Sequence, residues 1–382
     1  MAPIRVAIIG LSTSSNAGMT GAWAVNAHLP YLRASPDYEI VALCNSTVES
    51  AQKSIAHHGF GPDTKAYGNP EDLAKDPNVD LVVVSVRVDR HYHLVKPSVE
   101  AGKDIFVEWP LGSNTKEAEE LTNIARAKGS KTAVGLQSRT SLVGVKVKEL
   151  IDSGRIGKVQ SSVASMTFPG LASSVMPESI AYFADSSVGG NALTIPAGHF
   201  IDHANFILGE FTELNATFVN QFPTIDVVND AGEVVRSNVK KDVPDLVNVQ
   251  GVLVNNVAFS FSLRIAHPVD GKAVRWLISG TEGEIEITCP VGMWQFSPPG
   301  ITVRVCKKDG KDVEDIPVEA DPESEIGKLG FLAHNPARIY EAFAKGETDK
   351  YATFEDAVVR HRMVDAIWES GHAKAATYKS SY

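Results

Sequence analysis

Short apolar runs alternate with helix-like stretches through the first 135 residues, and this alternation restricts the fold more than any other feature. The runs cover residues 5–10, 38–44, 79–86, 104–108 and 131–135. Continuous apolar runs are typical of parallel strands that are buried on both faces. Helix-like stretches lie between them at 48–59, 91–102 and 116–129, and Asn114 is placed to cap the last, with Glu117 at its third position. The alternation predicts an α/β doubly wound parallel sheet.

The pattern changes near residue 140. A predicted amphipathic helix at 141–154 leads into segments where apolar and polar residues alternate, at 258–265, 274–280 and 284–288. Alternation with period two predicts strands with one covered face and one face free to meet a partner. A final helix is predicted at about 354–370, capped by Thr353.

The length of 382 residues fits two domains. We predict an N-terminal Rossmann domain at 1–140. A C-terminal α+β domain at 141–382 is predicted to contain a large, mostly antiparallel open sheet. The final helix is a candidate to pack back near the first domain.

Charge and cysteine content exclude several classes of function. A net charge of −10 argues against direct binding to nucleic acid or to anionic membranes, because both require a basic face. The three cysteines have no metal-like spacing and form an odd set, which favours a reducing compartment. We see no signal-peptide core and no apolar run long enough to span a membrane. These features predict a cytoplasmic protein.

The loop after the first apolar run has the position of a phosphate-binding loop. Its glycines, Gly10, Gly18 and Gly21, are spaced more widely than in the usual dinucleotide fingerprint. We interpret the loop as a fingerprint opened by an insertion at about residues 12–20, with the next helix beginning at Gly21. The alternative is a Gly/Ser-rich connection without a ligand.

The second apolar run ends where NAD-binding domains usually carry an acid for the ribose hydroxyls. This chain has Asn45, followed by Ser46 and Thr47. Loss of the carboxylate removes repulsion against a 2′-phosphate, which favours NADP slightly over NAD. The alternative is that Asn45 only caps the following helix.

Several segments, in order, carry a family resemblance. The segment 87–112 contains VEAGK and an E-x-P-L frame, and further matching segments are 134–139, 149–159, 189–210, 279–287 and 351–370. Together they resemble the glucose–fructose oxidoreductase/inositol dehydrogenase (Gfo/Idh/MocA) family over nearly the whole chain. The resemblance implies an NAD(P) cofactor, a small-molecule substrate and a homodimer or homotetramer.

Two positions depart from the catalytic pattern of that family. Trp109 occupies the position of the usual catalytic Lys, and Ile195 occupies that of the usual Asp, so that His199 alone is retained. An indole N–H donates a hydrogen bond but does not titrate usefully, so Trp109 is predicted to stack or to block. His199 then becomes the main candidate for proton transfer, with His91 and Tyr182 as weaker ones. Alone, His199 would more often be a core histidine.

The same alignment of motifs implies the contacts of the cleft. Substrate contacts are expected from Trp109, Gln137, Arg139 and Tyr182. Cofactor contacts are expected from Gly10, Leu11, Gly21, Ala22, Trp23, Asn45, Ser46, Val86, Arg87, His91, Glu108, Trp109 and Gln137. For three of them a structural role is the alternative: a helix-start cap for His91, a capped strand end for Glu108 and an interdomain salt bridge for Arg139. The pairs His57–His58 and His91–His93 lack a third ligand at a convincing spacing, so no metal site is predicted.

Three functions remain open. The first is an NAD(P)-dependent oxidoreductase that acts on a sugar-like or other small carbonyl or carbinol compound. The second is a dinucleotide-binding regulator with a protein partner, because the V-E-W sequence and the segments 21–30 and 90–95 look similar to the yeast galactose-pathway repressor branch of the family. The third is a redox-neutral lyase or epimerase that uses a bound cofactor transiently.

Overall fold

The computed structural model describes residues 2–15, 21–168 and 174–373. The N-terminal part holds six parallel strands, β1 (Ile4–Ile9), β2 (Tyr38–Cys44), β3 (Lys65–Tyr67), β4 (Leu81–Val84), β5 (Asp104–Val107) and β6 (Thr132–Val134). Their order is β3-β2-β1-β4-β5-β6, which confirms the doubly wound parallel sheet. The strand order reverses between β1 and β4, and a crevice at such a point is where this fold binds its ligand.

Helices cover both faces of this sheet. They are α1 (Leu29–Ala34), α2 (Val48–His57), α3 (Pro70–Ala74), α4 (His91–Glu100) and α5 (Thr115–Lys128). Asn114 caps α5 as predicted, because its side chain accepts a hydrogen bond from the backbone N–H of Glu117. The Glu117 carboxylate does not close a capping box, since it accepts from Ser113 N at 2.8 Å. The short elements β3 and α3 were not predicted, whereas the helix predicted to begin at Gly21 is present at residues 22–34, with α1 as its last part.

The second part begins with α6 (Leu142–Asp152), capped by Ser141. Its large sheet contains β7 (Val159–Thr167), β9 (Phe211–Val219), β12 (Leu246–Leu253), β13 (Val257–Arg264), β14 (Val274–Gly280), β15 (Gly283–Cys289), β16 (Thr302–Lys307) and β17 (Val313–Ile316). The order is β17-β16-β15-β14-β7-β13-β12-β9, and of these neighbours only β7 and β13 run parallel. The prediction of a large, mostly antiparallel sheet is confirmed.

One face of the large sheet is covered by helix α7 (Gly198–Leu208). Phe259, Phe261 and Leu263 of β13 are buried, as their period-two spacing predicts. Phe200 of α7 stacks on Phe261 with ring centroids 5.1 Å apart. A separate small sheet is formed by β8 (Val175–Pro177), β10 (Thr224–Val228) and β11 (Val234–Lys240), in the order β11-β10-β8.

The last two helices return to the N-terminal part. In α8 (Phe331–Lys345), Tyr340 and Phe343 share an apolar core with Val6 and Ile8 of β1. Helix α9 (Phe354–His372) lies along α5, and Arg362 is paired with Glu119 at 2.7 Å. The domain boundary near residue 140 stays a prediction. None of the helices in the described ranges is long and apolar enough to cross a membrane.

Candidate cofactor and substrate cavity

A cavity of about 970 Å³ lies at the carboxyl ends of β1, β4 and β5, between them and the second part of the chain. The strand ends are the usual binding crevice of a doubly wound sheet. Nine of the predicted site residues line this cavity: Gly21, Trp23, Val86, Arg87, Glu108, Trp109, Gln137, Tyr182 and His199. The other predicted residues are Gly10, Leu11, Ala22, Asn45, Ser46, His91 and Arg139, and they do not line it.

The loop after β1 depends on two glycines with positive φ, Gly10 at +96° and Gly21 at +81°. A Cβ on Gly10 would lie 2.6 Å from the carbonyl oxygen of Ser85, and a Cβ on Gly21 would lie 2.7 Å from that of Gly10. Both positions therefore require glycine, because at each of them the backbone packs directly against another backbone segment. Gly18 and most of the predicted insertion lie outside the described residues.

Asn45, at the carboxyl end of β2, is held by the first loop. Its Nδ2 donates to the carbonyl of Leu11 and to Ser54 Oγ, both at 3.1 Å. Helix α2 is capped by Thr47 instead, so the capping alternative for Asn45 is wrong. Ser46, the next residue, is exposed and has no carboxylate.

Glu108 follows β5 and has a buried support that the sequence did not reveal. Its Oε1 lies 2.9 Å from Nε2 of His28, and Nδ1 of His28 lies 2.8 Å from the hydroxyl of Tyr340. A Cβ at Gly135 would lie 2.6 Å from the Glu108 carboxylate, so this glycine leaves room for it. The carboxylate therefore has a fixed place at the cavity wall. His28 is within the segment 21–30 that carried a resemblance, but nothing in its spacing assigned it a partner.

Trp109 forms a wall of the cavity and is only 4% exposed. Its indole N–H donates to the carbonyl of Thr194 at 2.8 Å. Gly198 lets the indole come close, since a Cβ there would lie 3.2 Å from Nε1. The Trp109 donor is therefore occupied, and the residue can offer a ligand its ring but no proton.

His199 stands in the first turn of α7, after a wide π-type turn at Leu193–Ala197 that carries Ile195 to the cavity. The His199 side chain is 3% exposed, and its Nδ1 has no hydrogen-bond partner within the described ranges. Burial lowers the pKa of His199 to about 4, against the opposing effect of Glu108. His199 is therefore neutral near pH 7.

Gln137 and Tyr182 complete the polar lining that the sequence predicted. Gln137 is 1% exposed, and its Oε1 has no partner among the residues described. The guanidinium of Arg87 lies 5.5 Å from the ring centroid of Tyr182 and is also paired with Asp89 at 2.6 Å. Burial raises the pKa of Tyr182, which keeps its hydroxyl protonated at neutral pH.

Two predicted contacts need correction. His91 does not line the cavity: its ring nitrogens lie 2.7 Å from the carbonyl oxygen of Pro110 and 3.0 Å from that of Val86. It therefore joins the ends of β4 and β5, and burial lowers its pKa. It is not the side-chain cap of a helix either.

Arg139 forms ion pairs and does not line the cavity. Its guanidinium contacts Asp202 at 2.7 Å and Asp356 at 2.9 Å, and the side chain is 6% exposed. The salt-bridge alternative is therefore the correct one. The bridge joins the segment after β6 to α7 and α9.

One aromatic contact across the cavity was not predicted. Trp23, at the start of the first helical segment, stacks on Phe296 with centroids 4.8 Å apart and planes 22° apart. Phe296 belongs to a short 3₁₀ turn at Trp294–Phe296, far away in the sequence. Both rings line the cavity, so the stack joins the two parts of the chain there. The described residues contain no group of three His, Cys, Asp or Glu that could hold a metal ion.

Comparison with known proteins identifies the family to which this architecture belongs. Residues 4–136 match the model of an oxidoreductase family with an NAD-binding Rossmann fold, and residues 143–289 match the C-terminal domain of Gal80p. A dehydrogenase of Aspergillus oryzae, aclE, is 33% identical over 341 residues, which cover 89% of each chain. This chain belongs to the Gfo/Idh/MocA oxidoreductase family.

Solved structures within this fold include both a regulator and an enzyme. A super-repressor mutant of Gal80p from Saccharomyces cerevisiae aligns with a TM-score of 0.84 at 25% identity, covering 97% of this chain and 96% of that one. A levoglucosan dehydrogenase in complex with NADH and levoglucosan aligns with a TM-score of 0.75 at 20% identity, covering 97% of both chains. At 20% identity, the match to levoglucosan dehydrogenase shows only that the fold is similar.

Proposed function

We propose that this Gfo/Idh/MocA member is an NAD(P)-dependent oxidoreductase that acts on a small, sugar-like carbonyl or carbinol compound. The observation that carries the proposal is the imidazole of His199, which is buried at the cavity without a hydrogen-bond partner for Nδ1. Buried polar groups are almost always paired, so a bound ligand is the natural partner.

The chain has the features that a nicotinamide dinucleotide needs. Gly10 and Gly21 allow a diphosphate to approach the backbone, as in other dinucleotide-binding turns. Glu108 stands at the strand end next to the cavity, where its carboxylate can accept from ribose hydroxyls. The unpartnered oxygen of Gln137 can accept from the carboxamide or from a substrate hydroxyl. The cofactor, when bound, supplies hydride transfer.

Proton handling falls to His199 under this proposal. Carbinol oxidation releases a hydroxyl proton, and a neutral imidazole can accept it. Burial keeps His199 neutral near pH 7, so it is in the form of a base. Trp109 and Ile195 contribute shape, because neither side chain titrates.

The test measures the absorbance of reduced NAD(H) and NADP(H) with a panel of sugars and small carbonyls. Two variants form a matched pair on α7: His199→Gln alters the cavity, and His203→Gln alters a buried histidine one turn later that does not line it. We expect turnover to fall by at least about 100-fold in His199→Gln, the usual range for a lost acid–base group. His203→Gln keeps its turnover. Equal turnover in both variants would rule out His199 as the acid–base group.

The second candidate is a dinucleotide-binding regulator, and Trp109 and Ile195 are the observations that favour it. They replace two of the three polar groups of the family pattern, and Trp109 donates its only proton to Thr194. The regulator predicts saturable cofactor binding with no turnover on any panel member, and the same titration therefore distinguishes the two functions.

A further inference from the structure

A second cavity, of about 360 Å³, lies near Trp109, which lines the main cavity but not this one. Thr194 and His361 line it, and both touch Trp109: Thr194 accepts its indole N–H, and the ring of His361 lies 4.9 Å away. Trp109 therefore lines the main cavity and contacts two residues that line the second one. The volume is at the lower end of the range for small-molecule sites, which points to a small ligand.

The second cavity is lined by groups that both donate and accept hydrogen bonds. They include the amide of Asn191, the hydroxyl of Ser186 and the carboxylates of Asp365 and Asp242, and Asp242 also lines the main cavity. No Lys or Arg is among its lining residues in the described part of the chain. Two carboxylates without a lining cation disfavour an anionic ligand, because like charges repel at short range.

Two of these groups are buried and still lack a full set of partners. His361 is 5% exposed, and its Nε2 has no hydrogen-bond partner among the described residues. Asn191 is 1% exposed: its Oδ1 accepts from Leu193 N at 3.0 Å and Thr194 N at 3.1 Å, while its Nδ2 donates to none of the described residues. An unpaired buried group is costly, so a ligand that pairs with the imidazole of His361 gains affinity, and the Nδ2 of Asn191 can donate to the same ligand.

We propose that this second cavity binds a neutral polyhydroxylated small molecule, a polyol or a sugar. Each hydroxyl of such a ligand both donates and accepts, which matches the mixed set of carboxylate, amide and imidazole groups. An organic cation would pair with Asp242 and Asp365 but would leave the Asn191 amide donor unpaired. The site is separate from the cofactor cavity and does not depend on the proposed reaction.

The experiment uses isotope-labelled histidine in the full chain as a local NMR reporter. His361 and His372 line the second cavity, whereas His199 lines the main one, so each space has its own signal. The probes are myo-inositol and D-glucose, with D-gluconate and spermidine as the anionic and cationic comparisons. We expect the two neutral probes to shift the His361 resonance saturably and to leave the His199 resonance in place.

Two neighbouring serines provide a matched pair of variants. Ser186 lines the second cavity and is half-buried, whereas Ser187 is exposed and lines neither space. Ser186→Phe fills the cavity and raises the dissociation constant of myo-inositol by at least about tenfold, and Ser187→Phe leaves it unchanged. Asp365→Leu, on the exposed side of α9, weakens binding without touching the core.

Three results would overturn the proposal. One is the absence of any His361 shift with both neutral probes. Another is equal binding in Ser186→Phe and Ser187→Phe, which would move the ligand elsewhere. The third is tighter binding of gluconate or spermidine than of glucose, which would show that charge and not hydroxyl pairing selects the ligand.

Discussion

Three buried histidines bind protons less readily in the folded chain than in the unfolded chain. Burial lowers the pKa of His199 and of His203 to about 4, and that of His361 to about 3. His203 also has a specific reason to stay neutral, because its Nδ1 accepts the indole N–H of Trp294 at 2.8 Å. A proton on that nitrogen would remove the acceptor and set two donors against each other.

This arrangement predicts a pH-dependent stability. Because the folded pKa of His203 is below its ordinary value of 6.5, the unfolded chain binds more protons between pH 6.5 and 4. The free energy of unfolding therefore falls as the pH falls through that window, by about 2 kcal/mol per such histidine at pH 5 relative to pH 7. Urea unfolding at the two pH values measures it, and His203→Gln should show a smaller difference than the native chain. An unchanged difference would mean that His203 is not neutral in the folded state.

Cofactor preference is expected to depend on the residue beside Asn45. Ser46 is exposed just after β2, where the proposed cofactor site would hold a ribose, and it has no carboxylate. Ser46→Asp adds a carboxylate there, which repels a 2′-phosphate and can accept from a 2′-hydroxyl. We expect the ratio of the NADP(H) to the NAD(H) dissociation constant to rise by about tenfold, equivalent to about 1.4 kcal/mol. Ser46→Asn is the uncharged control. If the ratio is the same in both variants, the ribose does not bind beside residue 46.

Single residues of the site differ in how far the sequence reveals them. Trp109 and His199 could be found because each stands in a motif whose usual chemistry is known. His28 and Tyr340 could not, because their hydrogen bond joins residues 312 positions apart and has no local signature. Arg139 shows the reverse error: a cation near a strand end suggested the cleft, but its two acidic partners lie on α7 and α9.

At the scale of elements, helix α9 begins with a capping box. The Thr353 side chain accepts from the backbone N–H of Asp356, and the Asp356 carboxylate accepts from that of Thr353. Thr353→Ala should lower the free energy of unfolding by about 1 kcal/mol, the usual cost of losing a cap. Thr353→Ser keeps the hydroxyl and is the control. A urea midpoint that is the same for Ala and Ser would show that the cap adds nothing measurable.

Several elements with a sustained period were predicted, although the helices α7 and α8 were not. Strands β2, β13 and β14 were placed within a residue of their ends, because apolar runs or alternation persist over whole strands. The three-residue strand β3 gives too short a pattern to detect. The helix predicted to begin at Gly21 is present, but its spacing is not uniform, because Ala24–His28 forms a wide π-type turn before α1.

At the scale of the whole molecule, chain order and spatial order differ. Helix α8 lies more than 190 residues after β6 in the chain but completes the core beneath the N-terminal sheet. Ile339, Tyr340 and Phe343 are at most 1% exposed there. An amphipathic helix signals in its sequence that one face is covered, but not which sheet covers it. The predicted boundary at residue 140 therefore says little about what folds alone.

This packing predicts that a fragment of residues 1–140 does not fold by itself. Without α8, the apolar surface around Val6, Ile8 and Tyr38 loses its cover and is exposed to water. We expect the fragment to bind a hydrophobic dye and to lack a cooperative thermal transition, whereas the full chain unfolds cooperatively. Circular dichroism and dye fluorescence of the two proteins measure this.

Two variants of the full chain test the packing of α8 without shortening the chain. Tyr340→Ala removes a fully buried ring that also hydrogen-bonds His28, and should cost about 3–5 kcal/mol of unfolding free energy. Glu341→Ala, at the next position on a partly exposed face, should change it by less than about 0.5 kcal/mol. Because His28 in turn contacts Glu108, Tyr340→Ala should also weaken dinucleotide binding. A fragment 1–140 that unfolds cooperatively and binds the dinucleotide would contradict the prediction, and the N-terminal sheet would then be complete without α8.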